Sequence, residues 1–99
     1  MNLAKVIGTV VSTKKEPSMD GLKFLLLQQI EPDGKEKGTY VVAADAVDAG
    51  TGEIVLYASG SSARQTQRTD KRPCDAVVMA IVDNLEVGGK LLYKKGIND

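Results

Sequence analysis

The chain has 99 residues, of which 42% are hydrophobic and 26% charged, and Lys plus Arg equal Asp plus Glu at 13 each. Such a composition is typical of one small globular domain, and a zero net charge argues against the clustered positive charge of general nucleic-acid binding. The chain has no His and one Cys, which excludes His-based catalysis, the commonest metal ligand and an intrachain disulfide. We therefore expect no enzyme, no catalytic residue, no metal and no cofactor.

The same composition bears on location. No run of about 18 apolar residues is present, so we expect no membrane span. The N-terminal segment lacks the layout of a secretory signal, and a single Cys suits a reducing compartment. We expect a cytoplasmic protein.

The first half of the chain predicts two strands. Residues 3–14 form the first, and Gly8 in its middle indicates a bulge or sharp bend. A turn cluster at 15–21 leads to a second strand at 22–30.

The second strand is apolar on both sides. Phe24 and Leu26 share one face, and Leu25 and Leu27 share the other. An isolated small barrel should present a polar face to water, so one of these faces is covered, either by another subunit or by loops of the same chain. We assign Leu25 and Leu27 to a candidate outer-face interface.

The rest of the sequence continues the β pattern. Strands are predicted at 39–44, 53–59, 76–87 and, as a short last strand, 90–94, with a frayed tail at 96–99. A charged hairpin loop at 31–38, a flexible loop at 45–52 and a long loop at 60–74 with a short helical turn separate them. The predicted fold is all-β: one domain over residues 1–99, a small OB-like closed β-barrel of five to six strands.

Two charged sets are candidate sites. Asp45, Asp48 and Glu53 fit no known metal loop and are interpreted as solvated turn residues. A basic cluster follows at 64–72, comprising Arg64, Arg68, Lys71 and Arg72. An OB-like barrel could use it for single-stranded nucleic acid, but base stacking also needs aromatic platforms, and the chain has only four aromatic residues: Phe24, Tyr40, Tyr57 and Tyr93. A contact surface for protein neighbours is favoured, with an oligonucleotide-binding module as the alternative.

The most informative stretch is GSSARQT at 60–66. Gly60 can adopt a positive φ, Ser61 or Ser62 can cap a short helical turn, and Arg64 adds a forked cationic donor. Local chemistry alone describes an ordinary capped surface turn.

The wider pattern is more specific. Together with that stretch, the motifs GTVV at 8–11, KEPSMDGL at 15–22, ADAVDAGTGE at 44–53, RPCDA at 72–76 and AIVD at 80–83 resemble the EutN/CcmL family of bacterial microcompartment vertex proteins. The resemblance implies a non-enzymatic shell subunit, an OB-like barrel assembled as a homopentamer with an axial opening, located in a microcompartment shell in the cytoplasm. It implies contact with hexameric shell proteins and neither nucleic acid nor membrane as partner. It also places six residues at subunit contacts toward the fivefold axis: Gly60, Ser61, Ser62, Ala63, Arg64 and Gln65.

Overall fold

Seven strands and two short 3-10 turns make up the computed structural model over the residues that it describes, 1–12, 15–70 and 74–96. The strands are β1 (Asn2–Val10), β2 (Phe24–Ile30), β3 (Glu36–Asp45), β4 (Ile54–Ser59), β5 (Ala76–Ile81), β6 (Asn84–Val87) and β7 (Lys90–Lys94). The turns are η1 (Pro17–Met19) and η2 (Gly60–Arg64). Of the predicted frayed tail, residues 97–99 lie outside the described residues, as do 13 and 14 at the predicted end of the first strand.

Five strands close into a barrel in the order β1-β2-β3-β5-β4, with β4 pairing back onto β1. All neighbours are antiparallel except β3 and β5, which form a short parallel pair. The register of β1 against β2 shifts between Val6 and Gly8, as the glycine predicted. The predicted OB-like closed barrel is therefore confirmed.

The strand predicted at 76–87 is wrong in one respect, because it is two strands in two sheets. β5 ends at Ile81, and β6 pairs with β7 in a separate two-stranded hairpin. At the junction, the Val82 N–H donates to the Ile54 carbonyl, and the Asp83 backbone carbonyl accepts from the Lys95 N–H. The hairpin is held on the barrel by buried Tyr93, which packs with Ile30 and Ile54.

Boundaries elsewhere shift by a few residues. β3 begins at Glu36 and not at 39, because the hairpin before it is tight. The Asp33 carboxylate accepts from the Lys35 N–H, and Gly34 takes a φ of 88°. The predicted turn at this Asp-Gly pair is confirmed.

The main core fills the barrel with small and β-branched side chains around Tyr57. Its members are Ala4, Val6, Leu25, Leu27, Ala43, Ala49, Val55, Tyr57, Ala76 and Val78. Gln29 donates to the Tyr57 hydroxyl, which satisfies that polar atom inside the barrel.

The assignment of Leu25 and Leu27 to an outer-face interface is wrong. They are 1% and 0% exposed within a single chain and point into the barrel. Phe24 and Leu26 occupy the outer side of β2 and are only half-buried. The alternation along β2 was predicted correctly, but the face predicted to point outward points inward. The neighbouring residues of β1 and β3 also face the core there.

We expect Leu27→Ala to lower the free energy of unfolding by about 2–5 kcal/mol, because it leaves a cavity in a packed interior. Urea unfolding at one fixed protein concentration measures the loss. Leu91→Ala is the matched control, since Leu91 is 46% exposed on the hairpin. Equal effects of the two substitutions would contradict the position of Leu27 in the core.

Candidate subunit-contact surface

The connection between β4 and β5 is a long loop whose two ends lie side by side at the edge of the barrel. Ser59 pairs with Ala76, and the Gly60 N–H donates to the Asp75 carbonyl at 2.8 Å. Antiparallel neighbours that meet end to end can be joined by two residues. Here residues 60 to 75, sixteen in all, make the connection. Long compact loops of this kind are frequently functional.

η2 is the first part of this loop and is packed against the barrel. Gly60 adopts a φ of 66°, as its residue type allows. Ala63 is fully buried in a second cluster beneath η2, together with Ala58, Cys74 and Val77. The predicted serine cap is wrong: Ser59 occupies the N-cap position, and no side-chain cap bond forms. Packing of Ala63 and the backbone bond at Gly60 hold the turn instead.

The six predicted contact residues therefore divide into two groups. Gly60, Ser61, Ser62, Arg64 and Gln65 are exposed, whereas Ala63 faces inward. Arg64 donates from Nη1 to the Cys74 carbonyl at 3.3 Å, which ties the end of η2 to the start of β5. Cys74 is buried against Ala63.

The loop beyond η2 is braced by two threonines. The Thr69 N–H donates to the Thr66 hydroxyl at 3.0 Å, and the Thr66 N–H donates to the Thr69 hydroxyl at 3.3 Å. Thr69 is completely buried, so this reciprocal pair closes a compact turn. Sequence reasoning missed it, although two threonines three residues apart are a recognisable turn pattern.

An arginine joins this loop to the β3–β4 connection. Arg68 donates from Nη1 to the Asp48 carboxylate at 3.1 Å and to the Asp45 carbonyl at 3.2 Å. Asp48 has a positive φ of 58°, which Asp tolerates better than most residues. The hydrogen bond from Arg68, followed by its charge, holds the pKa of Asp48 below its ordinary value.

Asp45 was predicted to be solvated, and this is wrong. Its side chain is buried, and one carboxylate oxygen accepts from the Val47 N–H at 3.0 Å and the Ala49 N–H at 3.3 Å. The second oxygen lies 3.6 Å from Lys23 Nζ. Asp45 thus shapes the loop that receives Arg68 through its first oxygen, and Lys23, a residue distant in sequence, places a positive charge beside the second.

Among the described residues, no group of three or more acidic or Cys side chains is placed to hold a metal ion. Within the same part of the chain, no helix is long and apolar enough to cross a membrane.

The sequence matches the family model described as ethanolamine utilisation protein EutN/carboxysome over residues 1–83. The chain belongs to the EutN/CcmL family. The resemblance carried by the sequence motifs is thereby confirmed.

Individual EutN/CcmL relatives match over nearly the whole chain. The carboxysome shell vertex protein CcmL of Gloeobacter violaceus is 53% identical over 96% of this chain and 95% of its own length. The microcompartment shell vertex protein EutN of Salmonella typhimurium is 42% identical, with 96% of each chain covered.

Solved structures of EutN/CcmL proteins share the fold. The Gloeobacter violaceus CcmL structure has a TM-score of 0.92 at 53% identity and covers 96% of this chain and 98% of its own. A pentameric microcompartment shell protein of Rhodospirillum rubrum, GrpN, has a TM-score of 0.80 at 45% identity and covers 88% of this chain and all of its own.

We expect Arg68→Gln to raise the pKa of Asp48 towards its ordinary value, as followed by carbon NMR of the carboxyl group. Because the folded-state pKa is depressed, the ion pair stabilises the fold above the ordinary carboxyl pKa, and this contribution is lost as pH falls through the folded-state value. Glu53 is the internal control, since a hydrogen bond from Lys95 lowers its pKa independently. An unchanged Asp48 titration would show that Arg68 does not act on it.

Proposed function

We propose that this chain is a structural shell protein, five copies of which form a ring at the vertices of a bacterial microcompartment shell. The observation that carries the proposal is near-full-length similarity to a named shell vertex protein, 53% identical and with a TM-score of 0.92. The match covers 96% of this chain and 95% of the relative's own length.

Fivefold geometry suits this role for a simple reason. Six-membered tiles can lie flat in a sheet, but a closed polyhedron needs points at which only five edges meet. A ring of five identical subunits supplies such a point. We propose that its outer rim meets hexameric shell proteins edge to edge.

In such a ring, the η2 segment is proposed to lie at the subunit contacts toward the axis. Gly60, Ser61 and Ser62 carry little side-chain bulk, so a neighbouring backbone can come close. These residues are exposed on a turn that buried Ala63 anchors to the barrel, and this supports the proposed position. A contact surface that is already ordered loses little conformational entropy on assembly.

Oligonucleotide binding, the alternative for an OB-like barrel, finds no support in the surface chemistry. Of the four aromatic side chains, Tyr57 and Tyr93 are buried and Phe24 is half-buried, which leaves Tyr40 as the one exposed stacking platform. Arg68 is already paired with Asp48. Lys71 and Arg72 of the predicted basic cluster lie outside the described residues.

We expect native mass spectrometry to give an assembly of about 52 kDa, which is five subunits of 10.5 kDa in a closed cyclic arrangement. The same ring should persist on dilution through the micromolar range. A stable monomer, dimer or hexamer under these conditions would contradict the proposal.

We expect no micromolar binding of a labelled single-stranded oligonucleotide at physiological salt, because the chain has no net charge and Tyr40 is its single exposed stacking platform. Fluorescence anisotropy measures it. Tight binding that weakens steeply with added salt would establish the alternative function.

A further inference from the structure

A cavity of about 210 Å³ lies between the barrel and the β6–β7 hairpin. The barrel contributes the end of β2, the start of β4 and one outward position of β1, and both strands of the hairpin contribute to the opposite wall. The loop between β2 and β3 completes the lining. The proposed shell function makes no use of this cavity.

The floor of the cavity is apolar and ordered. Ile30, Ile54 and Tyr93 are 4%, 6% and 8% exposed and pack together, with Leu85 against them. Half-buried Leu92 of β7 extends the apolar wall. A protein cavity of about 150 Å³ with apolar walls takes up benzene, so this larger cavity has room for an aromatic ring with one small substituent.

Lys5 gives the cavity a positive charge without a counter-ion. Its sequence neighbours Ala4 and Val6 fill the barrel core, so Lys5 lies on the outer side of β1, opposite Ile54 in the register. The residue is half-buried, and among the described residues it forms no ion pair. A partly buried ammonium group without a partner is unfavourable, and a bound anion would remove that cost.

Asp33 restricts the charge of such an anion. It is exposed at the mouth of the cavity, and its carboxylate accepts from the Lys35 N–H of its own turn at 2.9 Å. This hydrogen bond fixes a negative charge at the mouth, where it repels a second negative charge on a ligand. Lys5 and Asp33 together therefore favour a ligand with one negative charge over a ligand with two.

We propose that this cavity binds a small monocarboxylate with an apolar body. The carboxylate meets the ammonium group of Lys5, and the body lies on the floor around Ile54 and Tyr93. The proposal goes beyond the shell function and does not depend on the number of subunits in the ring, because one chain supplies the whole lining.

A ligand in this position links the hairpin to the barrel. Leu85, Leu92 and Tyr93 belong to the hairpin, whereas Lys5 and Ile54 belong to the barrel. The cavity exists only while the hairpin is closed, so the ligand binds the closed form alone. By mass action, a ligand at ten times its Kd lowers the population of the open hairpin by about tenfold.

The test is a titration of the intact chain with benzoate, which has one aromatic ring and one carboxylate. Benzamide is the neutral ligand of the same shape. Methyl NMR signals of Ile54, Leu85 and Leu92 report binding at the floor and at the hairpin wall. Amide hydrogen exchange of β6 and β7, measured with and without benzoate, reports opening of the hairpin.

Three variants separate the two charges from the apolar walls. Lys5→Met removes the positive charge and keeps an unbranched side chain. Asp33→Asn removes the negative charge and keeps an oxygen that accepts from the turn. Lys90→Met is the matched control, because Lys90 is exposed on the same hairpin and does not line the cavity. Far-UV circular dichroism checks that each variant keeps the fold.

We expect benzoate to bind the parent with a Kd on the order of 1 mM, at least about tenfold more tightly than benzamide. Lys5→Met should abolish this preference, Asp33→Asn should tighten benzoate binding, and Lys90→Met should behave as the parent. Benzoate at ten times its Kd should slow exchange of the hairpin amides about tenfold in the parent.

Three results would each overturn the proposal. The first is the absence of saturable shifts of the cavity methyl signals with benzoate. The second is a folded Lys5→Met variant that still prefers benzoate to benzamide as strongly as the parent does. The third is benzoate binding that leaves exchange of the hairpin amides unchanged, because a ligand held between the two sheets must slow it.

Discussion

The backbone hydrogen bond from the Gly60 N–H to the Asp75 carbonyl is the constraint on which the candidate subunit-contact surface at η2 depends. It closes the base of a sixteen-residue connection next to the Ser59–Ala76 pair, where β4 and β5 are already in register. The described part of this loop has further anchors: Ala63 beneath η2, the Arg64–Cys74 hydrogen bond, the Thr66–Thr69 pair and the Arg68–Asp48 ion pair. A surface held in this way is ordered before any partner arrives.

The anchors differ in strength for physical reasons. Ala63 and Thr69 are fully buried, so their contacts are protected from water and salt. The Arg68–Asp48 pair is exposed, and exposed ion pairs contribute little to stability and are screened. The buried contacts therefore hold the loop in place, and the arginine orients its far side against the β3–β4 connection.

The sequence allowed the barrel, the bulge at Gly8 and most strand positions to be predicted, because alternation and turn residues are local signals. Which face of β2 is inside was not predictable from β2 alone, since both faces are apolar. The break at Ile81 was not predicted because the apolar pattern runs on to Val87, whereas in the structure the Asp83 carbonyl already accepts from the Lys95 N–H of the hairpin. The small residues at 60–66 predicted a short helical turn, and η2 forms there with most of its residues exposed. The burial of Asp45 was not predictable because its partners are two loop N–H groups and Lys23, which is distant in sequence.

The β6–β7 hairpin and the barrel are separate sheets, and their stabilities differ. Two-stranded sheets are marginally stable alone, so this hairpin depends on Tyr93 against Ile30 and Ile54 and on the ion pair of Lys95 with Glu53 at 2.8 Å. The barrel strands close on one another without it. We expect the hairpin to open as a local unit before the barrel does, because a two-stranded sheet has little stability of its own.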